Sequence, residues 1–280
     1  LDATIEGEEG DAGNEFGSGD KLTLNLPGRQ QEVLEAVAAS GKPVILVLLA
    51  GSALAVTWAD AKENIPAIVQ GWYPGAQGGR AIAQMLFGEF SPEGKLPVTF
   101  YRTTEELPEF TDYSMKGRTY RYMKNEALYP FGYGLSYTKF VCSAKMEIVG
   151  NNGMPEKEHL ISADSTVKIT AALTNIGSYD GAETVQVYIK AKDVPDAPNY
   201  QLKGLKKLVL AAGERKETEI ILDMRAFGLF TEEGEKLILP GQYEIYVGTC
   251  QPDARSTKLT GNKPQIFTVN CTERAVVETI

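Results

Sequence analysis

A chain of 280 residues exceeds one ordinary hydrophobic core, and domains of about 100 to 200 residues predict two of them. Hydrophobic residues at 43% and charged residues at 23% are the proportions of a folded globular protein, which argues against disorder, and the longest apolar run, Pro43 to Ala50, is far too short to cross a bilayer. A formal charge of -9 and a pI near 4.9 argue against nucleic acid as a partner, because such a surface repels phosphates; a neutral or small polar partner fits better.

The chain opens on Leu1, with no charged segment leading into an apolar stretch, so no signal peptide is visible and the start reads as a cut. Residues 1 to 20 are acidic and glycine-rich, carrying Glu6, Glu8, Glu9, Asp11, Glu15 and Asp20, and read as an exposed loop. Val33, Leu34, Val37 and Ala38 then recur at helical spacing, with Gly41 as the stop. Pro43 to Leu49 is a continuous aliphatic run, as expected of a strand buried on both faces of a parallel sheet. A second strand is expected over Ala67 to Trp72, a helix over Gly78 to Phe87 ended by Gly88, and a strand over Leu96 to Phe100. Helices alternating with strands in this order predict an α/β fold.

Residues 101 to 140 break that rhythm with a dense set of Tyr, Pro and Gly, either a long linker or a loop packed over a site. Beyond Phe140 the texture becomes alternating and β-branched over Val167 to Leu173, Thr184 to Ile189, Lys206 to Leu210, Glu217 to Leu222 and Tyr243 to Val247. Asn175 to Gly177, Ala212-Gly213 and Pro240-Gly241 supply turns between them, and the spacing predicts an antiparallel sandwich. Tyr188, Phe227, Phe230, Tyr243 and Tyr246 alternate with other apolar residues, as core does, rather than forming an exposed aromatic stripe.

Several chemistries find no support in the residues. Gly71, Gly75, Gly78 and Gly79 match neither nucleotide-binding glycine pattern, and a tight strand-to-helix turn is their simpler reading. His159 is the only histidine, so neither a Ser-His-Asp triad nor a histidine-based metal site is expected. Cys142, Cys250 and Cys271 are widely spaced and odd in number, which favours half-buried thiols. The acidic opening loop is where chemistry is plausible. Cleaving a glycosidic bond needs one carboxylic acid to protonate the leaving oxygen and a second group to attack, and a glutamate whose pKa is raised by neighbours or burial suits the first role. Aromatic rings stack on the C–H faces of sugars, which makes Trp72, Tyr73, Tyr120 and Tyr122 candidate contacts; core packing is the alternative use of such residues.

The strings "IEGEEGD" (Ile5–Asp11), "LNLPGRQQEVLEAV" (Leu24–Val37), "GKPVILVL" (Gly41–Leu48), "GWYPGAQGGRAIAQMLFGEFSPEGKLPVTF" (Gly71–Phe100), "GRTYRY" (Gly117–Tyr122), "YPFGYGLSYTKF" (Tyr129–Phe140) and "LKGLKKLVLAAGE" (Leu202–Glu214) occur in that order. Together they resemble the C-terminal region of glycoside hydrolase family 3, the β-glucosidase-like enzymes. The resemblance implies the C-terminal part of an α/β-sandwich domain over 1–110, an aromatic, glycine-rich linker over 111–141, and a fibronectin type III-like β-sandwich over 142–280. It implies a retaining enzyme of two carboxylates. The nucleophilic Asp of an SDW-type motif lies on a barrel domain, and no SDW occurs here, so this chain holds half an active site and is inactive without the barrel. By the family's pattern Glu8 is the first choice for the acid/base residue, with Glu6 and Glu9 as rivals. Asp11 is followed by Ala12 and the insertion "GNEFGSGD" where the family has Asp-Arg, which keeps Glu15 open as well. Trp72, Tyr73 and Tyr120 are the substrate contacts carried forward. No cofactor or metal is required; the partners implied are a glucoside or oligosaccharide and the barrel, with neither nucleic acid nor membrane. β-Xylosidase or arabinofuranosidase activity, and a non-catalytic carbohydrate-binding or interaction module, stand as alternatives to a β-glucosidase.

Overall fold

Thr23 is the first residue described in the computed structural model, which covers residues 23–150, 154, 159–231 and 233–279. The described residues divide into two units: those within 23–89, 99–117 and 125–129 form the first, and those within 90–98, 118–124 and 130–279 the second.

In the first unit, helix α1 (Gln30–Ala38) buries Leu34 and Ala38, and Gly41, at φ +73°, takes the left-handed turn that a β-carbon disfavours. The Ala38 carbonyl at the end of the helix accepts from the Gly41 amide at 3.1 Å and from the Asn64 side-chain amide at 2.8 Å. Strand β1 (Ile45–Leu48), the short helix α2 (Thr57–Asp60), strand β2 (Ala67–Gln70) and helix α3 (Gly78–Leu86) follow. The strands run parallel, Ile45 opposite Ala67 and Leu48 opposite Gln70. A β-carbon on Gly78 would lie 2.4 Å from Pro74 Cγ, so a tight entry into α3 accounts for this glycine without a phosphate.

Two expected strands come out differently. The one expected over Ala67 to Trp72 stops at Gln70: the Gly71 amide makes the last rung of the ladder, to the Leu48 carbonyl at 2.8 Å, and Trp72, at φ +53°, has left the extended region. The strand expected over Leu96 to Phe100 is extended but builds no ladder. Leu96 exchanges hydrogen bonds with residues 132 and 133, Phe100 forms an isolated bridge with Tyr129, and Pro97 between them has no N–H to give.

The second unit holds the one-turn helix α4 (Thr119–Tyr122) and strands β3 (Phe140–Val149), β4 (Leu160–Ile161), β5 (Thr166–Asn175), β6 (Gly181–Ala191), β7 (Gln201–Leu210), β8 (Arg215–Leu222), β9 (Leu229–Phe230), β10 (Glu235–Ile238), β11 (Gly241–Gly248), β12 (Gln265–Cys271) and β13 (Ala275–Thr279), with helix α5 (Ala254–Thr260) before β12. Among the described residues one sheet has the order β3-β5-β8, a larger one β4-β12-β11-β6-β7, and a small one β13-β10-β9. Val167, Ile169 and Leu173 of β5 meet Val185, Val187 and Ile189 of β6 and Ile245 and Val247 of β11 in a single core, where every second residue points inward. Each such side chain contributes about 1.5 to 3 kcal/mol by leaving water. Tyr188, Phe227, Tyr243 and Tyr246 are buried as expected; Phe230 is exposed, with the Lys236 ammonium 5.0 Å above its ring. The three cysteines are free thiols, Cys250 and Cys271 buried and Cys142 partly so, and burial pushes Cys142 up to about 11.

The tyrosine- and glycine-rich stretch forms a further layer on this sandwich. Gln186 and Tyr188 face away from the core, yet they are only 3% and 1% exposed, because residues 118–124 and 130–137 cover them. Tyr120 stacks on Phe131 at 4.2 Å, and both rings meet Tyr188 edge-on. The Gln186 amide donates to the carbonyls of Gly132 at 3.0 Å and Thr249 at 2.9 Å, while the Tyr188 hydroxyl donates to Gln186 Oε1 at 2.7 Å.

Lys95 and Glu183 tie this layer down. The Lys95 ammonium lies 2.8 Å from Glu183 Oε1 and donates to the Gly134 carbonyl at 2.8 Å, and both side chains are largely buried. Burial raises the Glu183 pKa, and the charge and hydrogen bond of Lys95 only partly offset it. A carboxyl raised on folding takes up protons as the protein folds, so its contribution to stability is fully present below the unfolded pKa and is lost as pH rises through the folded one. Lys95→Met removes the compensating charge and raises that pKa further. It is expected to cost about 3 to 5 kcal/mol at pH 7. The deficit should shrink as pH falls below 7 and Glu183 takes up its proton; urea unfolding at pH 7 and at lower pH checks this.

Candidate active site

In open α/β sheets ligands gather beyond the carboxyl ends of parallel strands, where loops diverge and backbone groups lack partners. Here that edge is formed by the segment after Leu48 and the segment after Gln70. The Gln70 amide donates to the Ala50 carbonyl at 2.9 Å and so joins the two segments. Its Oε1 is buried without a partner among the described residues, an acceptor that sequence reasoning did not single out; the only cue in the sequence is an amide ending an aliphatic strand.

Trp72 and Tyr73 stand on this edge. Trp72 occupies the left-handed region at φ +53°, an uncommon conformation for a bulky residue that needs support from its surroundings. Part of that support is Phe100, which is buried and meets the indole edge-on at 6.4 Å. Phe100 in turn meets Tyr129 at 6.1 Å, and the Tyr129 hydroxyl donates to Asp60 at 2.7 Å. Tyr73 is 56% exposed, and its ring passes so close to Gly51 that a β-carbon there would lie 2.5 Å from the ring. Gly51 therefore makes room for the tyrosine.

Tyr120 belongs to the second unit, where its ring is stacked on Phe131 and its hydroxyl accepts from the Leu202 amide at 3.3 Å. Tyr122 lies in the same unit, with the Arg121 guanidinium 5.8 Å over its ring. Glu6, Glu8, Glu9 and Glu15 lie outside the described residues. Just after them, Leu24 receives a hydrogen bond from Ala55 at 2.7 Å and donates to Thr104 Oγ1 at 2.9 Å, which fixes that point of the chain within the first unit.

An α/β unit with aromatics on the carboxyl edge of its parallel strands, followed by a fibronectin-like sandwich, defines a two-domain class of protein, and comparison with known proteins narrows it. Residues 2–137 match the glycosyl hydrolase family 3 C-terminal domain and residues 183–251 the fibronectin type III-like domain. The chain belongs to glycoside hydrolase family 3 and represents the C-terminal region of that family. It is 41% identical over 92% of its length to a xylan 1,4-beta-xylosidase of Xylanibacter ruminicola, of which it covers 28%, and 33% identical over 81% of its length to a periplasmic beta-glucosidase of Salmonella typhimurium, of which it covers 30%. A beta-glucosidase from Kluyveromyces marxianus, solved in complex with glucose, superposes with a TM-score of 0.77 at 26% identity, over 94% of this chain and 31% of that one. The chain thus spans about a third of the length of these relatives.

Proposed function

We propose that the chain is the C-terminal portion of a retaining, exo-acting β-glucosidase that removes terminal non-reducing β-D-glucosyl residues. In this reading Glu8 is the acid/base residue, and an Asp on a barrel domain attacks the anomeric carbon. Glu8 first protonates the leaving oxygen, the Asp forms a glycosyl-enzyme, and Glu8 then takes a proton from the water that releases the sugar. Glu6 and Glu9 are the neighbouring carboxylates that could carry the same proton. Trp72 and Tyr73 offer ring faces to the sugar, and Tyr120 acts by holding the layer to which it belongs. The chain alone, lacking the nucleophile, is inactive. The domain division proposed is 1–110 for the α/β part, 111–141 for the linker and 142–280 for the sandwich.

The observation that carries the reading is the loop after β2, where Trp72 is held in a left-handed conformation beside an exposed Tyr73 at the carboxyl edge of the parallel pair. Rigid aromatics placed there suit a ligand better than they suit a core. The similarity to a xylosidase at 41% identity favours β-xylosidase action as the second reading. Comparing kcat/KM for nitrophenyl β-D-glucoside and β-D-xyloside on the complete enzyme separates the two. A preference for the glucoside of at least tenfold is expected, and the reverse preference would replace glucosidase by xylosidase.

A further inference from the structure

At the edge of the sandwich, Lys203 of β7 faces the end of β8, the turn that follows it, and β10, around a cavity of about 270 Å³ lined by Lys203, Lys236, Arg225, Asp223 and flanking apolar residues. Its lining carries three cations and one carboxylate; Arg225 is ion-paired with Asp223, so the ammonium groups of Lys203 and Lys236 account for its net positive charge, in a protein whose net charge is -9. Asp223 is already committed: it caps the turn Met224–Phe227 by accepting from the Arg225 amide at 3.0 Å and takes the Arg225 Nε at 2.9 Å. Among the described residues no hydrogen bond or ion pair reaches the half-buried Lys203 ammonium. Burial, and then the like charges of Lys236 and Arg121, hold its pKa down to about 8. Arg121 adds a second unmet donor nearby, since its Nε is buried without a partner among the described residues.

A concave, cation-rich site with a half-buried ammonium and its one carboxylate occupied is complementary to an anion with several acceptor oxygens. We propose that this cavity binds a small oxyanion, with Lys203 as its anchor and Lys236 and Arg225 at its margin. The carboxylate of an acidic sugar and a free inorganic anion are two sources of the same chemistry. The site lies within the sandwich and does not depend on the hydrolytic reading.

Calorimetric titration of the chain at pH 7 with sodium glucuronate and with sodium sulfate, at ionic strength held constant with chloride, tests this. Saturable binding to one site is expected for at least one of the two. Tighter binding of glucuronate assigns the site to acidic sugars, and tighter binding of sulfate to inorganic anions; glucose should give no signal. Lys203→Met, which keeps the apolar stem, should weaken binding at least tenfold, and wild-type affinity should fall between pH 7 and pH 9 as the ammonium loses its proton. If Lys203→Met does not fold, Arg225→Gln, at a largely exposed side chain, should weaken binding at least threefold. Absence of saturable binding by both anions, or unchanged affinity in the folded variants, would overturn the inference.

Discussion

Gly132→Ala is expected to destabilise the second unit by about 2 to 5 kcal/mol. Gly132 lies at φ +75°, where a β-carbon costs about 1 to 2 kcal/mol. That β-carbon would also lie 2.3 Å from Gln186 Oε1 and 2.8 Å from the Tyr188 hydroxyl. Neither neighbour is free to retreat. Gln186 is held by the carbonyls of Gly132 and Thr249, and Tyr188 lies beneath the rings of Tyr120 and Phe131. Displacing them leaves buried polar groups unsatisfied, each worth about 1 to 3 kcal/mol. Scanning calorimetry should register the loss as a lowered melting temperature. Unchanged melting would mean that residues 118–124 and 130–137 do not seal the outer face of the larger sheet.

Glu8→Ala in the complete enzyme is expected to lower kcat/KM, which reports the glycosylation step, by about 100- to 10,000-fold on glucosides with poor leaving groups. The loss should be far smaller on dinitrophenyl glucosides, whose leaving oxygen needs no proton. A nucleophile would be affected on both substrates, since the glycosyl-enzyme could not form on either. The ratio of the two losses therefore identifies the role, and uniform kinetics close to wild type would move the assignment to Glu6, Glu9 or Glu15.

What the sequence made legible follows the strength of its local patterns. The uninterrupted aliphatic run at Pro43 to Leu49 contains β1, although Ile45 is 50% exposed and the strand is not buried on both faces as expected, and the alternation in Val167 to Leu173 and Thr184 to Ile189 lies within β5 and β6, where facing a core writes itself into residue type. Strands β10, β12 and β13 were not anticipated. Lys236, Asn270 and Glu278 interrupt their apolar residues, and their pairing is set by distant partners that a local window does not include. The strand expected at Leu96 to Phe100 failed for a similar reason: its two ends pair with different residues across Pro97.

In the candidate site, Trp72 and Tyr73 were visible as aromatics in a polar, glycine-rich loop, while the left-handed backbone of Trp72 was not, since no residue type encodes it as Gly does. Tyr120 was visible as an aromatic for the same reason, while its stacking on Phe131 at 4.2 Å was not. The cluster around Lys203 escaped notice altogether. Lys203, Asp223, Arg225 and Lys236 are spread over 34 residues and meet only through the folding of β7, β8 and β10.

The most direct test of the account is the product formed when the Glu8→Ala enzyme turns over an activated β-glucoside in the presence of azide. A small anion needs no base to attack, so azide should accelerate turnover and yield β-glucosyl azide, with the configuration retained through a covalent intermediate. Formation of the α-azide, or no azide adduct and no acceleration while the glycosyl-enzyme still accumulates, would contradict the assignment of Glu8 as the proton-transferring residue of a retaining glycosidase.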